Sequence, residues 1–202
     1  MLDDSWPGPL EVDAAGASKI RQGKGLIWRC LDTGMPIYQR RLSMAEVKVR
    51  INQCWRPYHA ALANAVQAAC RRHGYSIHLN CHSMPAVASA FSTDFPGLAH
   101  ADFVVGDRDG TAADARLSHR VCAHLESLGY SVSYNPPYKG VELVRRHGDP
   151  AVQQHNIQPK INRRLYMDKV TLEIGAPAFH RLSANLRLLV ERLLATDPRR
   201  LG

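Results

Sequence analysis

Apolar positions recur with helical spacing in three segments of the chain. The first, residues 43–73, opens with a Ser-x-x-Glu capping box, in which the hydroxyl and the carboxylate satisfy backbone amides at a helix start. Pro57 is expected to kink this helix or to split it in two. The second segment spans 117–128 and the third spans 182–194. We therefore predict three amphipathic helical regions.

Short apolar or alternating runs between these helices predict β-strands. Apolar and polar residues alternate from Ser76 to Cys81, which predicts a strand that delivers His82 at its carboxyl end. Further strands are predicted at 103–105, 131–135, 141–145 and about 157–162. Strands that alternate with helices are typical of an α/β fold, here with a mixed, mostly parallel sheet flanked by helices. No linker or repeat divides the sequence, so we predict one domain over residues 1–202.

Composition and charge narrow the classes of function. The chain has a net charge of +8, but its Lys and Arg residues are scattered and no nucleic-acid-binding signature accompanies them. A solvated basic surface, or guanidinium groups that hold acidic small molecules, explains the charge better than nucleic-acid binding does. No apolar run is long enough to span a bilayer, and we expect a cytoplasmic protein. The five cysteines form no C-x-x-C pair and are predicted to be reduced and mostly buried.

Four polar motifs follow one another along the chain. They are Asn80-Cys81-His82-Ser83, Asn135-Pro136-Pro137-Tyr138-Lys139-Gly140, Arg145 with Gly148, and Gln158-Pro159-Lys160 ahead of Asn162-Arg163-Arg164-Leu165-Tyr166-Met167-Asp168. Together they resemble the N-formylglutamate amidohydrolase family over approximately residues 4–170. The resemblance implies a fold similar to that of the zinc carboxypeptidases and aspartoacylase. It also implies zinc-dependent hydrolysis of N-formyl-L-glutamate to formate and L-glutamate, a reaction of histidine degradation.

The resemblance implies roles for individual residues. His82 corresponds to a zinc ligand, although a single His at a strand end is more often a hydrogen-bonded structural residue. Lys139 and Arg145, with Asn135 in the same motif, correspond to positions that can face the carboxylates of the substrate. A rigid turn that carries two surface charges explains these residues equally well. His59, which lies in a helical setting, is predicted to pack beneath the site. Asp107, Asp109 and Gly110 also match a family segment, and a turn at the edge of the sheet explains them at least as well as a ligand role.

The chain departs from the family pattern where the chemistry is expected. Lys160 stands at the position of the Glu that activates water, and Asn80 stands where the family has Asp. An ammonium about 5 Å from a dication meets repulsion on the order of 6 kcal/mol at an effective dielectric of 20. Pro159 also removes an amide from the expected strand. An early Pro-His motif that supplies metal ligands is absent, as if the domain were incomplete at its amino terminus. We therefore expect weak zinc binding and impaired activity; the alternative is a non-catalytic remnant that binds an acidic small molecule.

Overall fold

The computed structural model describes residues 20–21, 23–31, 33–90 and 95–201. The chain forms two compact units, Met1–Trp55 and Arg56–Gly202. In the first unit, helix α1 (Met44–Arg50) is followed by a π-helical turn, Ile51–Trp55. The predicted capping box is confirmed, because the Glu46 amide donates to Ser43 Oγ at 3.3 Å and the Ser43 amide donates to Glu46 Oε2 at 2.8 Å. The prediction of one domain over residues 1–202 remains a prediction.

The second unit is built on a five-stranded sheet. Its strands are β1 (Ser76–Leu79), β2 (His82–Met84), β3 (Phe103–Gly106), β4 (Val132–Tyr134) and β5 (Gln154–Asn162). Strands β1 and β2 pair in parallel with successive parts of one edge of β5. Strand β3 pairs antiparallel with the other edge of β5, and β4 runs parallel to β3. With three parallel pairings and one antiparallel pairing, the predicted mixed, mostly parallel sheet is confirmed.

Four α-helices accompany the sheet in the described part of this unit. They are α2 (Arg56–His73), α3 (Ala115–Ser127), α4 (Glu142–His147) and α5 (Ala176–Leu194), with short 3-10 turns at Pro150–Val152, Arg163–Leu165 and Pro198–Arg200. The predicted strand at 141–145 is wrong, because α4 occupies this position. Glu142 forms ion pairs with Arg145 and Arg146 at the i+3 and i+4 positions, which favour a helix. Val144 is fully buried, so the helix also gains a packed contact.

The two faces of β5 differ in chemistry, because successive side chains of a strand point to opposite sides of the sheet. On one face, Ile157 and Ile161 join the apolar cluster formed with β3, α3 and α5. That cluster contains Phe103, Val105, Leu117, Val121, Leu125, Leu182 and Leu189. On the opposite face, β5 carries Asn156, Gln158, Lys160 and Asn162. The Asn156 Nδ2 atom donates to the Leu143 carbonyl at 3.0 Å, so α4 covers part of this polar face.

Pro159 lies in the centre of the sheet without breaking it. The amides of Asn156 and Asn162 donate to the Ala112 and Asp102 carbonyls, on the β3 side of the strand. Backbone amides alternate along a strand, so residue 159 faces the edge shared by β1 and β2. That edge is interrupted at 80–81, between the two paired segments. The missing amide therefore faces a gap in the pairing, which explains how proline is tolerated in a central strand.

The same interruption corrects the predicted position of His82. The run from Ser76 to Cys81 was expected to form one strand with His82 at its carboxyl end. The first strand ends at Leu79, and His82 begins the second strand instead. The physical reason is the local pairing, because β1 and β2 each pair with a separate part of β5.

Candidate active site on the polar face

The polar face brings His82 next to Lys160. These residues are direct partners in the parallel pairing of β2 with β5, so their side chains share one face of the sheet. Lys160 Nζ lies 3.9 Å from the centroid of the Tyr138 ring, which is a cation–π contact. Lys160 is half-buried, whereas His82 is exposed. The position that the resemblance assigns to a carboxylate is therefore occupied by an ammonium beside the expected ligand.

Glycine at position 106 allows the 135–140 loop to reach this face. A Cβ atom on Gly106 would lie 2.5 Å from the Tyr138 carbonyl oxygen and 2.6 Å from the Lys139 carbonyl carbon. The Arg108 amide donates to the Lys139 carbonyl oxygen at 2.8 Å, which fastens the loop. Close approach of two backbones is a common reason for glycine in a strand. This contact holds the Tyr138 ring against Lys160.

A second hydrogen-bond chain orients Tyr138. His100 is buried, and its Nδ1 lies 2.7 Å from the Pro85 carbonyl oxygen. A carbonyl only accepts, so His100 Nδ1 carries a proton. The Tyr138 hydroxyl and His100 Nε2 form a hydrogen bond at 3.3 Å. His100 was not identified from the sequence, because its partners lie 15 and 38 residues away.

Amide side chains lie next to Lys160 on the same face. Gln158 is fully buried and Asn80 is 7% exposed. Among the residues that the structure describes, Gln158 Nε2, Gln158 Oε1 and Asn80 Nδ2 have no hydrogen-bond partner. Unpaired polar atoms are uncommon in a protein interior, and each requires an explanation. Gln158 entered the sequence analysis only as part of a motif, since burial of its side chain depends on the fold.

Each of the three predicted substrate-binding residues has partners of its own. Lys139 Nζ lies 2.6 Å from Asp109 Oδ2, and both side chains are exposed. The Arg145 guanidinium lies 2.9 Å from a Glu142 carboxylate oxygen, on α4. Asn135 is buried, and its Oδ1 accepts from the Asp107 amide at 3.1 Å. A substrate carboxylate at Lys139 or Arg145 would compete with an existing ion pair, and the role of all three residues remains a prediction.

Asp107 organises the turn after β3, which is one of the two roles that its motif left open. Its carboxylate is fully buried and accepts hydrogen bonds from Tyr134 Oη at 2.8 Å, Asn135 Nδ2 at 3.1 Å and the Gly110 amide at 3.0 Å. Burial and the neighbouring Asp107 raise the pKa of the Tyr134 hydroxyl, so this group remains a donor. The partners of Asp107 account for its burial and give it a structural role.

Two buried imidazoles meet where α2 contacts α4. His59 Nδ1 of α2 lies 2.8 Å from His147 Nε2 of α4, and the rings stack with their centroids 5.1 Å apart. Burial lowers the pKa of both groups, and the positive charge of Arg146 lowers them further, while Glu142 opposes the shift. His59 is buried in a helix, as predicted. His147 was missed, because nothing in the local sequence pairs it with His59.

The residues on this face do not fit a catalytic zinc centre. Such a centre normally has three protein ligands and one open position. Within the described residues, no group of three or more His, Cys, Asp or Glu side chains could hold a metal ion. His82 lies beside the Lys160 ammonium, which repels a cation. The expected weak zinc binding remains a prediction.

The cysteines are free in the part of the chain that the structure describes. Only Cys122 is buried, whereas Cys54 and Cys81 are exposed. The prediction that they are mostly buried is therefore wrong: Cys54 lies in the exposed π-helical turn before α2, and Cys81 lies in the interruption between β1 and β2. No helix of the described residues is long and apolar enough to cross a membrane.

Comparison with known proteins identifies the family to which this fold and these motifs belong. The mixed α/β sheet and the polar motifs define a domain of the amidohydrolase class, and the family model for N-formylglutamate amidohydrolase matches residues 7–167. The chain belongs to the N-formylglutamate amidohydrolase family. It is 31% identical over 151 residues to an N-formylglutamate deformylase from Pseudomonas putida, a match that covers 72% of this chain and 54% of that protein.

Two solved structures share the fold. An N-formylglutamate amidohydrolase from Ralstonia eutropha JMP134 is 43% identical, with a TM-score of 0.81, over 95% of this chain and 66% of the other. The product of the Agrobacterium tumefaciens gene Atu2144 is 19% identical, with a TM-score of 0.53, over 76% of this chain and 56% of the other. The second likeness supports the fold alone. The chain thus spans about half to two thirds of the length of these relatives.

Proposed function

We propose that this chain recognises N-formyl-L-glutamate or a similar acidic amide and hydrolyses it poorly. The recognition follows from family membership, because relatives bear the names N-formylglutamate deformylase and N-formylglutamate amidohydrolase. The impairment rests on one observation, the pairing of Lys160 with His82 on the polar face. Water activation requires a group that accepts a proton, and a protonated amine cannot do so.

The size of the impairment follows from the missing general base. Loss of such a group typically lowers the rate by about 10²–10⁴. The ammonium at residue 160 also disfavours any cation beside His82, which adds to the loss. Zinc would supply a polarised carbonyl and an activated water in a family member with a complete ligand set. The described residues of this chain do not form that set.

Formate release from N-formyl-L-glutamate tests this proposal. The purified chain, with zinc added, is compared with the Ralstonia eutropha relative in the same assay. We expect a turnover about 10²–10⁴ below that of the relative. A turnover within about tenfold of the relative would refute the impairment. The Lys160→Glu variant tests whether the ammonium is the cause, and we expect it to release formate faster than the unmodified chain.

The second candidate function is a non-catalytic protein that binds an acidic small molecule. The cation–π contact favours it, because Tyr138 holds the Lys160 ammonium on the polar face. Calorimetry with N-formyl-L-glutamate and L-glutamate distinguishes the two functions. Binding of N-formyl-L-glutamate without any detectable formate release supports the second, whereas slow but saturable release supports the first.

A further inference from the structure

A small cavity is formed by helices α3 and α5, on the side of the sheet opposite the polar face. Its volume is about 200 Å³, and we call it the α3–α5 cavity. The residues that line it come from α3, from the last turns of α5 and from the segment after α5: Arg120, Leu189, Arg192, Leu193, Ala195 and Thr196. None of them belongs to the motifs that carry the family resemblance. The candidate active site therefore does not account for this cavity.

The floor of the cavity consists of two leucines. Leu189 and Leu193 are 1% and 8% exposed, and both belong to the apolar cluster between the sheet and its helices. They are four positions apart on α5, so their side chains lie on one face of the helix. An apolar cavity of about 150 Å³ is large enough to bind benzene. The α3–α5 cavity therefore has room for one aromatic ring or a short alkyl chain.

The rim of the cavity carries two guanidinium groups, from Arg120 on α3 and Arg192 on α5. Both residues are exposed, and neither guanidinium forms an ion pair or a hydrogen bond with another residue that the structure describes. Arg116, one turn earlier on α3, differs because it pairs with Asp114 at 2.7 Å. The described residues that line the cavity include no acidic side chain. Two positive groups therefore border an apolar floor without a countercharge.

A third basic side chain, His124, lies beside this rim. It follows Arg120 by four positions, which places both side chains on one face of α3. Burial lowers the pKa of His124, and the positive charge of Arg192 lowers it further, so Arg192 lies close to α3 at this point. The His124 Nε2 atom is buried and has no hydrogen-bond partner among the described residues. Such atoms are uncommon in folded proteins, and this one lies next to two unpaired positive charges.

The end of helix α5 opposes an anion at the cavity, but only weakly. The helix ends at Leu194, and the free carbonyls of a helix end amount to roughly half a negative charge. One carbonyl in this last turn is satisfied, because the Thr196 hydroxyl donates to the Arg192 carbonyl at 2.8 Å. The two guanidinium charges exceed the remaining partial charge. The field at the cavity therefore favours an anion.

We propose that the α3–α5 cavity binds a small aromatic or aliphatic carboxylate. The apolar body of the ligand lies against Leu189 and Leu193, and its carboxylate is held by Arg120 and Arg192. Guanidinium groups suit this role, because they can donate two parallel hydrogen bonds to one carboxylate. Inorganic phosphate would leave the leucines without a partner, and a neutral ring would leave the charges unpaired. The cavity is separate from the polar face, so this inference does not depend on the proposed function.

An amide chemical-shift titration of the isotopically labelled chain with benzoate tests the cavity. We expect saturable shifts with a Kd on the order of 1 mM, an affinity that is ordinary for a ligand of this size. The largest shifts should map to Arg120 and to residues 189–196. An equal concentration of N-formyl-L-glutamate should leave them unchanged, because its proposed site lies on the opposite face of the sheet.

Three arginine variants test the charges on the rim. Arg120→Gln and Arg192→Gln each remove one guanidinium group, and each should weaken benzoate binding about three- to tenfold. Arg187→Gln is the matched control, because Arg187 is an exposed arginine of α5 that does not line the cavity. The control should leave the Kd within about twofold. All three substitutions change exposed residues, so each variant should keep the melting temperature of the unmodified chain closely.

The Ala195→Phe variant tests the space of the cavity while both guanidinium groups remain. Ala195 lines the cavity and is exposed, so a phenyl group can occupy the cavity without entering the core. Benzoate binding should fall by about tenfold or more, because its ring loses the apolar floor. Two further ligands separate the contributions of ring and charge. Benzyl alcohol and inorganic phosphate should each bind about tenfold more weakly than benzoate.

Results of four kinds would overturn the inference. They are no saturable shift with benzoate at about 10 mM, shifts that map to the polar face, equal affinity of the unmodified chain and the two rim variants, and phosphate binding as tight as benzoate binding. A loss in Arg187→Gln as large as that in Arg192→Gln would also contradict it, because any surface arginine would then serve. Benzoate binding by Ala195→Phe at the original affinity would show that the ligand lies outside the cavity. None of these results bears on formate release, which tests the proposed function separately.

Discussion

Gly106→Ala is the substitution whose effect follows most directly from the geometry. The added Cβ atom would lie 2.5 Å from the Tyr138 carbonyl oxygen and 2.8 Å from the Lys139 carbonyl oxygen. Both atoms belong to the backbone, so no side-chain rotation can relieve the contact. Gly106 lies in strand β3 and has no positive φ angle, so alanine would be strained only by this overlap. The 135–140 loop must therefore move away from the sheet.

The distance that the loop must move determines how much stability the substitution costs. Ordinary contact begins near 3.4 Å, so the loop must retreat by roughly 0.6–0.9 Å from these positions. Overpacking of this kind typically costs about 1–3 kcal/mol. The same movement strains the hydrogen bond from the Arg108 amide to the Lys139 carbonyl, which contributes about 0.5–1.5 kcal/mol. We expect Gly106→Ala to lower the free energy of unfolding by about 2–4 kcal/mol and the melting temperature by about 5–15 °C.

Denaturant unfolding of Gly106→Ala and Gly175→Ala measures the effect against a matched control. Gly175 also lacks a positive φ angle, but the nearest atoms to its added Cβ lie 4.0 Å away. We expect the control to change the free energy of unfolding by no more than about 0.5 kcal/mol. If Gly106→Ala is as stable as the control, the loop does not lie on the sheet as described. The contact of Tyr138 with Lys160 would then lose its support.

Two further predictions concern buried titratable groups. Because burial lowers the pKa of His59 and His147 below the ordinary value of 6.5, the unfolded chain gains protons first as the pH falls. The contribution of these two groups to stability should be fully present above pH 6.5 and should be lost as the pH falls through the lowered folded-state pKa. The free energy of unfolding, measured at about pH 7.5 and 5.5, should therefore decrease less for His147→Gln than for the exposed control His119→Gln. An equal decrease in the two variants would contradict this prediction. Burial raises the pKa of the Cys122 thiol to about 12, so in the native protein a thiol reagent should label the exposed Cys54 much faster than Cys122. Peptide mapping measures the two rates, and equal labelling would disprove the prediction.

Local patterns in the sequence were sufficient for most of the secondary structure. The capping box at Ser43, the stripe in α3 and the long helix α5 depend on residues within a few positions of one another. The alternation of apolar and polar residues in β1 and β5 likewise indicates a sheet with one apolar face. The prediction for the segment 141–145 was wrong, because its short apolar run is equally compatible with a strand and a helix. Packing of Val144 and the ion pairs of Glu142 select the helix.

The candidate site could be predicted only in part. The motifs identified the family, and they identified Lys160 as a positive group at a position expected to be acidic. They did not show that residue 160 lies beside His82, which is set by the pairing of β2 with β5. They also did not show that Gln158 is buried without a partner. A motif specifies residue types, whereas burial is a property of the neighbours that the fold supplies.

The amino-acid sequence by itself determined the α/β class, the family and the unusual ammonium, because these depend on local periodicity and residue identity. Tertiary structure alone decided which polar side chains meet. His59 and His147 are 88 residues apart in the chain and 2.8 Å apart in the fold. Tyr138 reaches Lys160 because a glycine on a third segment lets two backbones approach. Such contacts depend on strand register and close packing, which no local pattern encodes.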